Sequence, residues 1–193
     1  MDGMKYFKKI EGTRLFLSPV NPDDAEIYTQ WINDLPTSLR LGNAAEVYSL
    51  PQERAFLEGI AKEGMNFAIV LKDTEELLGN CSLFSINHIH RRAELGIFIG
   101  SQSSRNKGYG TEAIQLLAEY GFKVLNLNNI MLRLFEFNHP ARKCYEKAGF
   151  RLFGRRSQSY FVNGQYFDEL YMELLSNEIK TNFLEEFLPK QNG

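Results

Sequence analysis

The stretch "AELGIFIGSQSSRNKGYGTEAIQLLAEYGFKVL" (93–125) limits the fold more than any other part of the chain. A strand-like run, "AELGIFIG", passes through a loop holding Arg105, Lys107, Gly108 and Gly110. A helical pattern follows over 109–124, with Ile114, Leu117, Ala118 and Gly121/Phe122 on one stripe. A second strand-like run, "IMLRLFEF" (130–137), comes next. Strand, helix and strand with short links imply a parallel crossover in the middle of the chain. The loop then lies at the carboxyl end of the first strand, where open α/β sheets place their ligands.

The remaining segments fill in a mixed sheet with helices around it. "TRLFLSPV" (13–20) reads as a first strand, and "NPDDAEIYTQWINDL" as a helix capped by Asn21. Tyr28, Trp31, Ile32 and Leu35 are expected on its buried face. "PTSLRLGNAAEV" reads as a loop, after which Ser49 and Gln52 form a capping box for a second helix burying Phe56, Leu57, Ile60 and Ala61. "MNFAIVLK" and "LLGNCSLFSI" are strands joined by the acidic turn "DTEE", and "NHIHRR" leads on to "AELGIFIG". "NHPARKCYEKAGF" is a short helix entered through Asn138 and left through Gly149. The final pair of strands turns at Asn163-Gly164, a strong hairpin signal. Ile179, Phe183, Leu184, Phe187 and Leu188 suggest an amphipathic closing helix. At 193 residues the chain fits one domain, with 176–193 as its helical tail.

Charge points the same way as the loop. Residues 105–156 carry 10 Lys/Arg against 4 Asp/Glu, while the stretches on either side are each net −4. A basic middle suits an anionic ligand, and acidic flanks suit a cationic one. Nucleic acid is disfavoured because the basic segment is short and the net charge is −2. No apolar run reaches membrane-spanning length, and the N-terminal stretch lacks the apolar block of a secretory signal. Cys81 and Cys144, without metal-type spacing, fit reduced thiols in a cytoplasm. No metal site is expected from the three histidines.

A helix N-terminus offers unpaired N–H groups and a partial positive charge. Gly108 and Gly110 let the backbone approach a ligand, and Arg105 and Lys107 add formal charge. A diphosphate is a sensible occupant, and a plain strand-to-helix turn is the other reading. The nucleotide motifs fail on detail, since there is no G-x-x-x-x-G-K-[ST] and Ala113 replaces the third glycine of G-x-G-x-x-G. Gly96 and Gly100 in the preceding strand suggest a bulge or a close backbone approach.

R-x-x-G-x-G after such a strand, then N-x-x-A-x-x-x-Y-x-K-x-G-F beginning at Asn138, resembles the GCN5-related N-acetyltransferase (GNAT) superfamily. Within it, "IHRRAELGI", "AEYGFKVLNLNNI" and "FVNGQYFDELYMELL" are similar to bacterial polyamine acetyltransferases and ribosomal-protein N-terminal acetyltransferases. The likeness to the polyamine enzymes is the closer of the two, and it weakens before residue 85. The resemblance implies a GNAT fold, a mixed central sheet with splayed parallel strands and flanking helices, over a single acyl-CoA N-acyltransferase domain at 1–193.

It also implies acetyl-CoA as co-substrate, lying where the strand at 94–100 splays from that at 130–137. The backbone of Ile97, Phe98 and Ile99 would bond the pantetheine amides. Asn106, Lys107, Gly108, Tyr109, Gly110 and Thr111 would receive the diphosphate, with Arg105 and Lys107 near the phosphates. Asn138 would bond the pantetheine arm, and a backbone N–H near Phe98 the developing oxyanion. Tyr145 matches the general acid for the leaving thiolate. An incoming alkylammonium costs roughly 4–5 kcal/mol to deprotonate at neutral pH, so a base is expected. Glu94 is the first candidate and Glu136 the second. Ribosomal-type enzymes carry a glutamate five residues before the asparagine, and Arg133 stands there instead. Cys144 reads as a helix packing residue rather than an acyl carrier.

The expected acceptor is a small polyamine, walled by Asp34, Glu46 and Glu53. A protein N-terminus and a non-catalytic acyl-CoA-binding module are the alternatives. Self-association into a homo-oligomer stays open.

Overall fold

The computed structural model describes residues 4–189. Eight strands form one sheet: β1 (Ile10–Glu11), β2 (Leu15–Pro19), β3 (Met65–Leu71), β4 (Leu77–Asn87), β5 (Arg92–Ile99), β6 (Asn129–Phe135), β7 (Arg151–Val162) and β8 (Gln165–Leu175). Their spatial order is β1-β2-β3-β4-β5-β6-β8-β7. The one parallel pair among the described residues, β5 with β6, is the product of the crossover through α4 (Tyr109–Lys123). One face is closed by α4 and α5 (His139–Ala148). Under α4, Ile114, Leu117 and Ala118 meet Leu17, Ile69, Leu83, Leu95, Ile130 and Leu132 in the main core. The other face carries α1 (Ala25–Ile32) and α3 (Leu50–Lys62) over a smaller core of Val20, Ala25, Tyr28 and Leu57.

The local signals act where the sequence places them. Asn21 accepts the Asp23 N–H at the start of a short 3-10 turn leading into α1. Ser49 and Gln52 form the reciprocal capping box of α3. The β7–β8 hairpin turns through Asn163 (φ 51°) and Gly164 (φ 73°), both left-handed as a two-residue loop of this type requires.

Several expectations fail. Residues 35–41 are not a loop but a helix, α2 (Leu35–Leu41), capped by Asp34 and closed by Gly42. Leu35 is exposed as a result, rather than part of the α1 buried face. On α3 it is Leu57 and Glu53 that are buried, whereas Phe56 and Ala61 are exposed. Over 176–189 the chain runs in turns rather than an amphipathic helix, and residues 190–193 lie outside the described part. Leu184 is buried there nonetheless, and the Phe183 and Leu184 N–H groups bond the buried Glu119 carboxylate of α4. A side chain from the core thus satisfies the backbone that helix bonds would otherwise have paired.

The feature that positions the site is the short parallel pairing. Only Arg92–Glu94 pair with Asn129–Met131. Beyond them β5 stays on β4 but leaves β6, and a gap opens through the sheet. Trp31 helps to hold the free end of β5. Its ring packs edge-on against Phe98 at 5.9 Å between centroids. It also fills the place where a Cβ on Gly100 would stand, 2.0 Å from Cδ2. Gly96, in contrast, pairs regularly with Ser82, and the irregularity between β4 and β5 falls at Phe84/Asn87. β5 is therefore splayed rather than bulged at Gly96, whereas just past its end the Gly100 and Ser101 N–H groups share the Leu78 carbonyl and Trp31 packs against Gly100.

Candidate active site

The gap is a cavity of about 780 Å³. Strand alternation divides its walls between the two sheet faces. Ile97 and Ile99 pack with the main core, on the side of Tyr145 and Cys144. Phe98 points the other way, towards Trp31. On β6 and β8, Leu132, Leu134, Leu170 and Met172 belong to the main core, so Arg133, Phe135 and Glu169 face the side of Phe98 and α2. The cavity thus connects a lobe under α4 and α5 to a second lobe under α2.

The edge of β5 presented to the gap follows from its bonds to β4. Gly100 N–H donates to Leu78 O at 2.9 Å, and the Phe98 carbonyl points at Gly79 of β4. Main-chain groups two residues apart share an edge. Phe98 therefore spends its backbone groups on β4, and Ile97 and Ile99 turn theirs to the gap. This corrects the expectation that Phe98 would supply a backbone group there. The Ile99 carbonyl already accepts Arg105 Nε at 3.2 Å, which leaves the Ile97 groups and the Ile99 N–H.

The loop enters α4 through two left-handed residues, Asn106 (φ 62°) and Gly108 (φ 84°). Gly108 is the N-cap and supplies no side-chain bond, so the first N–H groups of α4 have no side-chain cap among the described residues. Asn106, Gly108, Tyr109, Gly110 and Thr111 line the cavity. Arg105 lines it too, but not as a free phosphate ligand. Besides Ile99 O, its guanidinium bonds Gly100 O at 3.3 Å and Thr37 Oγ1 at 2.9 Å, and Thr37 in turn donates to Asp34 Oδ2 at 2.5 Å. Arg105 is a tie between α2 and the end of β5. Burial and the neighbouring Arg40 both lower its pKa. Lys107 is exposed and does not line the cavity, contrary to expectation.

On α5, Asn138 caps the helix, its Oδ1 accepting the Ala141 N–H at 3.3 Å, and it reaches the cavity as well. Tyr145 is buried and lines the cavity without a hydrogen-bond partner among the described residues. Burial pushes its phenol pKa well above the ordinary tyrosine value. Cys144 lies 3.3 Å from Thr111 Oγ1, with its thiol pKa raised by burial, which suits packing and not nucleophilic attack.

The carboxylates are rearranged relative to expectation. Glu94 sits at the last paired position of β5, opposite Met131 and Phe84, and is half-buried at the throat but not on the lining. Glu136 is engaged elsewhere, with Arg155 Nη2 at 2.8 Å and the Asp168 N–H at 2.9 Å. Asp34 caps α2, Glu46 pairs with the Tyr48 hydroxyl and Glu53 is buried on α3, so none of the three walls the cavity. Glu169 does, as the one carboxylate on the lining among the described residues. It accepts Arg133 Nη1 at 3.1 Å and Tyr171 Oη at 2.7 Å. Arg40, Lys143 and Lys147 add cations that sequence reading missed. The signal for Glu169 was its place in the β8 alternation, which becomes readable only once β8 is known to lie beside β6.

Comparison with known proteins agrees with this geometry. Residues 14–151 match the model of the acetyltransferase (GNAT) domain family. The uncharacterized N-acetyltransferase p20 of Bacillus licheniformis is 30% identical over 170 residues, 86% of this chain and 94% of that protein. Spermidine N(1)-acetyltransferase of Escherichia coli (strain K12) is 39% identical over 103 residues, about half of each chain at 53% and 55%. Among solved structures, spermidine N-acetyltransferase from Vibrio cholerae in complex with CoA and spermine superposes with a TM-score of 0.76 at 26% identity, over 87% of this chain and 99% of that one. With the crossover, the splay and the glycine loop in place, the chain belongs to the GNAT family of acetyltransferases.

Proposed function

We propose that this acetyltransferase moves acetyl from acetyl-CoA to a primary amine by direct attack, with a small polyamine as acceptor. The carrying observation is the through-sheet cavity, basic along its lining and fitted with a buried phenol beside unpaired β5 backbone. The α4–α5 lobe would take the co-substrate. Ile97 and the Ile99 N–H would hold the pantetheine arm as an added strand, Asn138 would bond it from α5, and the start of α4 would receive the diphosphate. A gap-facing N–H of β5 would stabilise the charge developing on the thioester oxygen. The amine nitrogen forms the new bond to the acetyl carbon as the carbon–sulfur bond breaks. Tyr145 would then give its proton to the thiolate.

The amine would enter from the α2 lobe, where Glu169 would meet its ammonium group. Glu94, at the throat, remains the base candidate, acting through water because its side chain is not on the lining. Support for a polyamine comes from the relatives that are spermidine acetyltransferases. A second reading, a peptide N-terminus, is favoured by the apolar walls of that lobe: Leu41, Phe84, Phe98 and Phe135.

Thiol release from acetyl-CoA, measured across spermidine and short Ala- or Ser-starting peptides at low and high ionic strength, separates the two. Spermidine turnover that weakens with salt, and a raised spermidine KM in Glu169→Gln, are the expected results. A clear preference for the peptides would transfer the assignment to protein N-terminal acetylation, and CoA binding without turnover of any amine would leave a non-catalytic module.

A further inference from the structure

The loop ahead of α4 is held in shape by a residue from the far end of the chain. Arg14, immediately before β2, makes two bonds to the buried Glu112 of α4: its backbone N–H reaches Oε1 at 2.7 Å and its Nε reaches Oε2 at 2.8 Å. Its Nη1 donates to the Lys107 carbonyl at 2.9 Å. The guanidinium lies 4.8 Å from the centre of the Tyr109 ring. Nη2 stands 3.3 Å from where a Cβ on Gly108 would be. One side chain therefore touches Lys107, Gly108 and Tyr109 in succession and is itself anchored to the first turn of the helix they open.

The carbonyl of one residue and the N–H of the next lie on opposite sides of a planar trans peptide. Fixing Lys107 C=O towards Arg14 therefore turns the Gly108 N–H the other way, and Gly108 lines the cavity. A flip of this peptide would reverse the arrangement. It would remove a donor and aim a carbonyl oxygen at the place proposed for the diphosphate. Gly108, on the carboxyl side of this peptide, has no side chain to restrain its φ and would not resist such a flip by itself.

We infer that Arg14 is a positioning residue for co-substrate binding, locking the 107–108 peptide so that the loop offers donors to the diphosphate. This rests on the loop assignment made under the proposed function. Arg14 would act through the loop and would not touch the reacting atoms.

The test compares acetyl-CoA with S-acetylpantetheine, which carries the same thioester but no diphosphate, against one amine. In the parent chain, acetyl-CoA should have much the lower KM. Equal KM values there would overturn the loop assignment itself, before any variant is considered. In Arg14→Met, which keeps the aliphatic stem, the KM for acetyl-CoA should rise about tenfold or more, as for loss of a hydrogen bond involving a charged group. The KM for the amine, kcat, and kcat/KM with S-acetylpantetheine should stay near parental values. An equal loss with both thioesters would make Arg14 a purely structural residue, and an unchanged KM for acetyl-CoA would remove its role. Arg14→Lys keeps the charge but not the fork, and carries the test if the methionine variant does not fold. A raised acetyl-CoA KM with unaffected S-acetylpantetheine supports the inference, and parental constants overturn it.

Discussion

Tyr145 is buried at the cavity wall with its pKa raised by desolvation, so it stays protonated beyond the pH at which an exposed tyrosine would ionise. If it supplies the leaving-group proton, Tyr145→Phe should lower kcat by about 10²-fold or more with little change in the KM for acetyl-CoA. Because the folded pKa lies above the ordinary value, kcat in the parent should not fall away at about pH 10, where a solvent-exposed phenol would be half ionised. Near-parental kcat in a folded phenylalanine variant would make Tyr145 a packing residue. Gly110 makes a different point. A Cβ there would lie 3.3 Å from Cys144 Sγ and 3.7 Å from Ile99 Cγ1, so it points into the contact between α4, α5 and β5 and not outward at a ligand. Gly110→Val should still weaken acetyl-CoA binding, but by wedging the helix start off α5. Overpacking of this kind costs about 1–3 kcal/mol, so a lower Tm should accompany the loss. Calorimetric titration and thermal melts read both, and full affinity at an unchanged Tm would refute this account. That Tyr145 and Asn138 share one side of α5 was legible in the sequence because they lie on one helix at fixed spacing, and both line the cavity. Arg105 was legible as a residue but not in its role, since Thr37 and Gly100 reach it only through the fold.

Among the elements, α2 and α3 show how local signals can be read only in part. Pro36, Thr37 and Ser38 suggest a loop, yet Asp34 caps them into a helix because its carboxylate accepts both the N–H and the hydroxyl of Thr37. On α3, apolar spacing selected Phe56 along with Leu57 for the core, whereas the helix turns Glu53 inward beside Leu57 and leaves Phe56 exposed. Burial raises the Glu53 pKa, so the folded chain favours its protonated form more than the unfolded chain does. The stability this group contributes is complete below the unfolded-state pKa and is lost as pH rises through the folded value, which leaves an unfavourable buried carboxylate at neutral pH. Glu53→Gln should therefore raise Tm at neutral pH, with the gain shrinking as pH falls towards the ordinary carboxylate range. A lower Tm at neutral pH would show that the carboxylate is needed as an anion. The C-terminal segment fails for a related reason. Ile179, Phe183 and Leu188 do pack on the core, but apolar spacing does not say how the backbone is satisfied, and Glu119 supplies those bonds from α4.

At the scale of the whole molecule, the sequence by itself determined the crossover, the glycine loop, the caps of α3 and α5, the hairpin turn and the family. The caps and turns are encoded within a few residues, the crossover within 93–137 and the family motifs within 93–150, stretches that near-neighbour sterics and periodicity make readable. The tertiary structure alone decided which groups meet in the cavity. The gap exists because β5 and β6 stop pairing after Glu94 and Met131, and the sequences of both strands continue well beyond that point. Glu169 reaches the lining because β8 lies beside β6, and Arg14 reaches Lys107 because β2 and the start of α4 meet across 93 residues of chain. Of the carboxylates expected to wall the acceptor, Asp34 caps α2, Glu53 lies in the α3 interior and Glu46 is exposed beside Tyr48. Charge counted along a sequence does not fix the direction of any one side chain. That direction is set by packing between segments distant in sequence, a sum of many weak contacts that no single stretch contains.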